Sequence, residues 1–260
     1  MQQADYAAFG LGGQVAIVTG PSQGIGRAIA IGLAKAGADV VLAPRPNHDR
    51  QAIAGVVAEI EALGRRTLLV PTDVTQVDQV QAMVAQARAG FGRVDILVNN
   101  AGWTATGPAL DATEADYDAT MAATTKSVFF ACQAAARVMI PQGGGRIVNI
   151  GSNFAISAFK TRAIYGGAKA AVHQLSRALS LEWARDNVVV NVVAPCITET
   201  ESRRAILERP GYKEWVAEKL PIGRWNQPED VVGAVLFLCS AMARQVVGHV
   251  LYVDGGWTIH

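Results

Sequence analysis

Val15-Ala-Ile-Val-Thr-Gly-Pro-Ser-Gln-Gly-Ile-Gly26 is the stretch that decides the fold. Its first five residues, Val15–Thr19, are apolar or small without polar alternation, the pattern of a strand covered on both faces. Thr19-Gly20-x-x-x-Gly24-Ile25-Gly26 then ends the strand and opens a helix near residues 25–36. In a strand–turn–helix, glycines let the backbone approach a pyrophosphate at the helix N-terminus. Gly20, Ser22, Gln23, Gly24, Ile25 and Gly26 are the candidates to hold it. Three residues separate the first two glycines, unlike the common G-x-G-x-x-G, so the turn alone is equally a structural one.

The same rhythm runs to the C-terminus. Further apolar strands are predicted at Val40–Ala43, Thr67–Val70, Ile96–Asn99, Arg146–Ile150, Val188–Ala194 and Val250–Val253. Helices are predicted near 25–36, 49–63, 76–90, 113–139, 163–185 and 228–240. Alternating β and α elements predict a single-domain Rossmann fold over residues 1–260: a doubly wound, seven-stranded parallel sheet with helices on both faces. One segment breaks the rhythm. From Thr198 to Leu220 the chain is polar and carries Pro210-Gly211 between two short helical stretches. Its place beyond a strand's carboxyl end suits a substrate lid at about 198–221, with a surface helical hairpin as the alternative.

Composition narrows the function. The 260 residues are 50% hydrophobic and 17% charged, with a formal net charge of +1, enough apolar chain for a large core. That balance gives no reason to expect a nucleic acid or an anionic membrane as partner. Arg65-Arg66 and Arg203-Arg204 read as solvated faces. No run of about 18 apolar residues appears, and the first twenty residues lack a basic start and an apolar signal core. A soluble, cytoplasmic protein is expected. Cys132, Cys196 and Cys239 are odd in number and far apart, which indicates neither a disulfide framework nor a metal site.

Tyr165-Gly-Gly-Ala-Lys169, with Ser152 thirteen residues before the tyrosine, carries the chemistry. Four residues is about one helical turn, so Tyr165 and Lys169 share a face. A free phenol titrates near ~10. A cation at ~4 Å, with an effective dielectric of ~20, favours the phenolate by ~4 kcal/mol, up to roughly three pK units. Ser152 then supplies a hydroxyl to hold the substrate oxygen. Many helices contain Tyr-x-x-x-Lys by chance, and the set gains its weight from the other motifs.

An acidic residue after the second strand would bind ribose hydroxyls and repel a 2′-phosphate. Here the strand runs into Ala43-Pro44-Arg45-Pro46. Arg45 can pair with a 2′-phosphate, so NADP(H) is favoured, with NAD(H) as the alternative. An exposed arginine between two prolines is the plainer explanation of the same residues.

Further motifs follow in order: Asp73-Val74, Asn99-Asn100-Ala101-Gly102, Pro221-x-Gly-Arg…Pro228-Glu-Asp and Val253-Asp-Gly-Gly256. Together these residues resemble the short-chain dehydrogenase/reductase family, in its compact single-domain branch, from about Gly13 onward. The C-terminal motifs are similar to those of 3-oxoacyl-carrier-protein reductases and bacterial sugar or polyol dehydrogenases. The resemblance implies that Tyr165 is the general acid/base and that Lys169 lowers its pKa and holds the nicotinamide ribose. It implies that Ser152 polarises the substrate oxygen and that Asp73-Val74 contacts the adenine. Asn100, Ala101 and Gly102 would support the cofactor, and Pro195, Thr198 and Thr200 would contact the nicotinamide and pyrophosphate. It also implies a homotetramer or homodimer, paired partly through the helices at 113–139 and 163–185.

The chain departs from that pattern twice. Close relatives carry Asn-x-x-Gly-x-Phe in the helix after the fourth strand, where this chain reads Thr124-Thr-Lys-Ser127-Val-Phe129. Thr124 is expected to substitute in part for an asparagine that relays protons through a water. The sixth strand ends Ala194-Pro195-Cys196 where relatives have Pro-Gly. Cys196 either narrows the pocket or forces a different backbone, and a wall residue is favoured over a nucleophile because no activating base is evident.

Trp103, Asn153, Phe154, Cys196, Tyr212 and Trp215 are expected to wall the pocket with Ser152. So many aromatics hint at a bulky or hydrophobic carbonyl compound, unless the lid aromatics simply pack inward. His173 reads as an interface or structural residue, and Glu114, Asp116 and Asp118 as a solvated helix start. The leading hypothesis is an NADP(H)-dependent oxidoreductase interconverting a small-molecule ketone and a secondary alcohol. The alternatives are a 3-oxoacyl-thioester reductase and a cofactor-binding, non-catalytic protein.

Overall fold

A seven-stranded parallel sheet in the order β3-β2-β1-β4-β5-β6-β7 organises the computed structural model, which describes residues 5–259. The strands are β1 (Val15–Thr19), β2 (Asp39–Ala43), β3 (Thr67–Leu69), β4 (Ile96–Asn99), β5 (Gly145–Ile150), β6 (Val188–Pro195) and β7 (Val250–Val253). β1, β4 and β6 are buried at every position, which is why their sequences run apolar without alternation. β1 pairs with β2 on one side and β4 on the other. The winding direction reverses there, and a crevice opens beyond the strands' carboxyl ends.

Successive side chains of each strand feed two separate cores. Ala16 and Val18 face α1 (Gly24–Lys35), α2 (Arg50–Ala62) and α9 (Pro228–Cys239), whereas Val15 and Ile17 face α3 (Val77–Phe91), α5 (Ser127–Met139) and α6 (Ala163–Trp183). Asp49 caps α2 by accepting from the Gln51 and Ala52 N–H groups at 2.8 and 3.1 Å.

The helix predicted over 113–139 is not continuous. α4 (Glu114–Met121) and α5 flank a π turn at Ala122–Lys126. Thr113 and Asp116 form a reciprocal capping box at the start of α4, which gives the acidic run there its place. In the π turn, Thr124 Oγ1 donates to the Trp103 carbonyl (3.0 Å) and Thr125 Oγ1 to the Ala168 carbonyl (3.2 Å). Hydroxyl side chains thus tie the widened turn to the loop after β4 and to α6.

After β6 the chain makes the predicted excursion, with α7 (Arg204–Leu207) and α8 (Tyr212–Lys219). Asn226 pins its base: its N–H donates to Ile197, its carbonyl accepts from Glu199 N–H, and its amide donates to Val253, at 2.8, 2.8 and 2.6 Å.

Candidate active site

The turn after β1 is shaped by close approach. Gly24 has φ +54°, and a Cβ there would stand 2.8 Å from the Thr200 methyl. A Cβ on Gly26 would collide with the Gly20 carbonyl and the Asn100 amide. Asn100 Nδ2 bridges the Thr19 and Gly20 carbonyls at 3.0 Å each, and Thr19 Oγ1 accepts from the Asn100 and Ala101 N–H groups, also at 3.0 Å. Asn100 therefore locks the end of β4 to the glycine turn. Arg45 is exposed beyond β2, with no ion pair among the described residues. Asp73 is half-buried, and its Oδ1 accepts from the Thr75 N–H and hydroxyl.

At the carboxyl end of β5, Ser152 Oγ accepts from Phe154 N–H (3.2 Å) and donates to Asn153 Oδ1 (3.4 Å). α6 presents Tyr165 and Lys169 on one face, as their spacing requires. Lys169 is buried, and its ammonium donates to the Ile150 carbonyl at 2.6 Å. It stands 5.8 Å from the Tyr165 ring centre. Burial draws its pKa below the ordinary lysine value, and the Tyr165 charge acts in the opposite sense. Behind Ser152, His173 Nε2 accepts the Ser152 backbone N–H at 3.4 Å. Burial, then the nearby Lys169 and Arg177, hold His173 near a pKa of about 4.

Ser152, Tyr165 and Lys169 border one cavity of about 490 Å³, which His173, Arg45 and Asp73 do not line. Its lining includes Ile25, Asn100, Gly102, Pro195, Thr198 and Thr200 of the expected cofactor set, Ser152, Tyr165, Lys169 and Thr124 of the expected catalytic set, and Trp103, Asn153, Phe154 and Cys196 of the expected pocket wall. Tyr212 and Trp215 do not line it. Trp215 packs on Tyr212, Phe159 and Trp257, with ring centres 5.3, 6.0 and 6.0 Å away. With Ile197, Leu207, Val216 and Leu220 they form the excursion's own small core. The aromatics expected to face a substrate thus satisfy one another. In their place stand Thr104, Thr106, Arg162 and Arg203, polar residues whose positions in loops and turns leave no periodic signal in the sequence.

A family profile described as enoyl-(acyl carrier protein) reductase matches residues 20–258. The 2-dehydro-3-deoxy-D-gluconate 5-dehydrogenase of Escherichia coli is 37% identical over 254 residues, which span 96% of this chain and 98% of that protein. The chain belongs to the short-chain dehydrogenase/reductase family. Gluconate 5-dehydrogenase of Gluconobacter oxydans is 38% identical over 251 residues, 96% of this chain and 97% of that protein. A gluconate 5-dehydrogenase from Burkholderia cenocepacia, solved in complex with NADP and tartrate, is 36% identical and superposes with a TM-score of 0.91 over 99% of this chain and 100% of its own. The short-chain dehydrogenase/reductase described here is accordingly an NAD(P)-dependent oxidoreductase that interconverts an alcohol and a ketone.

Two side chains set it apart within the short-chain dehydrogenase/reductase pattern. Thr124 borders the cavity and its hydroxyl donates to the Trp103 carbonyl, while the Lys169 ammonium donates to Ile150. Cys196 adopts no left-handed backbone, so replacing glycine there narrows the wall without strain. Burial, reinforced by Asp254, pushes the Cys196 thiol up to about 12, which leaves it a wall residue and a poor nucleophile.

Proposed function

We propose that this enzyme oxidises a hydroxyl of a sugar acid, or reduces the corresponding keto acid, with NADP(H) and with Tyr165 as general acid/base. The observation that carries the reading is the set of polar groups in the cavity: hydroxyl, amide and guanidinium groups line it beside Trp103, Phe154 and Ile206, while Tyr212, Trp215, Phe159 and Trp257 pack on one another. Asn153 adds a buried amide nitrogen with no hydrogen-bond partner among the described residues, a donor suited to a substrate oxygen. The relatives named above for gluconate and its dehydro-deoxy derivative agree with such a substrate.

The glycine turn fits a dinucleotide, because the missing side chains at Gly24 and Gly26 let Thr200, the Gly20 carbonyl and the Asn100 amide pack against the start of α1, which brings the turn's backbone to the helix N-terminus where a pyrophosphate would bind. Ser22, Gln23 and Ile25 would flank the phosphates, Arg45 the 2′-phosphate, Asp73 and Val74 the adenine, and Pro195, Thr198 and Thr200 the nicotinamide end. When bound, the cofactor supplies the hydride acceptor or donor. In oxidation Ser152 donates a hydrogen bond to the substrate oxygen while Tyr165 removes its proton; in reduction Tyr165 returns the proton. Lys169, buried and fixed by Ile150, holds a positive charge beside Tyr165 and is placed to bind the ribose. The excursion over 198–221 acts as a lid, and residues 1–260 work as one domain.

The test is a screen of polyhydroxy carboxylates, neutral polyols, hydrophobic ketones and 3-oxoacyl thioesters with both cofactors, followed at the absorbance of the reduced nicotinamide. Turnover of polyhydroxy carboxylates is expected, with kcat/KM for NADP(H) about tenfold or more above that for NAD(H), a difference of ~1.4 kcal/mol. Arg45→Ala should erase most of that preference. Turnover confined to hydrophobic ketones or thioesters would defeat the substrate reading.

A further inference from the structure

Arg162 and Arg203 enter the cavity from different supports. Arg162 lies just ahead of α6, three residues before Tyr165, on the fixed wall; Arg203 ends the turn Glu201–Arg203 at the start of the lid. Both are half-buried. Four other arginines of this chain, Arg27, Arg66, Arg93 and Arg224, pair with Glu59, Asp39, Asp95 and Asp230. Among the described residues, neither Arg162 nor Arg203 has a carboxylate within 4.0 Å or a side-chain hydrogen bond. After burial, the charge of Arg203 is the main influence drawing the Arg162 pKa down, and the Tyr212 and Tyr165 hydroxyls lie near enough to act on it as well. Two unpaired cations facing one half-desolvated space repel each other. An anion between them replaces that repulsion with charge-assisted hydrogen bonds, and two guanidinium forks match the two oxygens of a carboxylate.

We propose that Arg162 and Arg203 form a carboxylate subsite that anchors the acid end of the substrate and draws the lid onto the fixed wall. The proposal rests on the sugar-acid reading for its substrate. The anchored carboxylate leaves the hydroxyl-bearing chain to extend toward Ser152 and Tyr165, so the subsite selects which carbon reaches the reacting groups. Cofactor phosphates are the other anions that could meet these arginines, and the test separates the two sources.

Tartrate is titrated calorimetrically into the NADP+-saturated enzyme, for wild type, Arg162→Gln, Arg203→Gln and the double variant. Tartrate affinity should fall about tenfold or more with each substitution, consistent with loss of a charge-assisted pair. NADP+ affinity should stay within about twofold of wild type. The single variants should melt at or above the wild-type temperature, because each removes one of two repelling charges; a merely structural arginine would lower it. In turnover the loss should fall on KM for gluconate more than on kcat, and the preference for gluconate over sorbitol should collapse. Equal tartrate affinity in wild type and double variant, or no tartrate binding at all, overturns the subsite. So does a fall in NADP+ affinity without one for tartrate, which would assign the arginines to the cofactor. If tartrate binds through the arginines while no polyhydroxy carboxylate turns over, the sugar-acid reading fails and the subsite stands.

Discussion

Tyr165 and His173 occupy the same face of α6 two turns apart, and they answer to different experiments. Tyr165→Phe removes the group that moves the proton while keeping the ring against Phe154, whose centre is 6.4 Å away. A fall in kcat of about 10²–10⁴ with little change in NADP+ affinity is expected, measured by steady-state kinetics and cofactor titration. His173 is 2% exposed, and its Nδ1 has no hydrogen-bond partner among the described residues. It is held neutral, with a folded pKa of about 4 against an ordinary value of about 6.5. Between those values the unfolded chain binds more protons than the folded one. Stability is therefore lost as pH falls through that window, and the loss levels off below it. His173→Gln can keep an acceptor for the Ser152 N–H without titrating. Denaturant midpoints of wild type and variant should diverge as pH is lowered from 6.5 to 4, with wild type losing more; parallel curves would contradict the assignment. At this scale the sequence was legible where a residue's placement follows from spacing, as for Tyr165 and Lys169 on one helix face. It passed over Arg162 and read Arg203 as part of a solvated face, whereas Arg203 is half-buried in the cavity wall, because an unpaired guanidinium is recognised by the carboxylates that are not near it. For His173 it gave an interface or structural role but not the partner, a backbone N–H on another element.

The strands were readable because burial on both faces leaves an unbroken apolar run, and β1, β4 and β7 begin and end where their residues predict. The π turn was hidden, since Ala122-Ala-Thr-Thr-Lys126 reads as ordinary helix and only the bonds to Trp103 and Ala168 show why it widens. The excursion after the sixth strand was legible from its polarity and its Pro-Gly, but not the direction of its aromatics, which depends on Trp257 at the far end of the chain. The start of α1 offers the sharpest test at this level. Gly26→Ala places a methyl against the Gly20 carbonyl and the Asn100 amide, and the helix must shift from the turn it supports. Overpacking of this kind costs roughly 1–3 kcal/mol. A lowered melting temperature with at least about tenfold weaker NADP+ binding is expected, measured by thermal unfolding and fluorescence titration; an unperturbed variant would place the cofactor elsewhere.

Across the whole molecule, the sheet order suits a division of labour: β1 to β3 would serve the proposed cofactor, β4 to β6 the proposed reacting groups, and the β6–β7 connection the proposed lid. No helix among the described residues is long and apolar enough to cross a membrane. Phe129, Phe130 and Leu175 on α5 and α6 remain half-exposed, and Leu181 is 83% exposed. Such a face suits a second copy of the chain. Light scattering is expected to give four times 27.4 kDa, or twice that mass for a dimer, and a purely monomeric protein would refute the assembly. The π turn has one more consequence. Thr120 at the end of α4 accepts the Ala105 N–H at 3.1 Å, and Thr124 holds Trp103, so both helical segments grip one loop in a fixed angular relation. Deleting a single residue from this segment would turn α4 about 100° around its axis and slide it about 1.5 Å, parting one grip or the other. The segment can therefore accept changes of side chain far more readily than a change of length, and insertions or deletions in this enzyme's descendants should fall elsewhere.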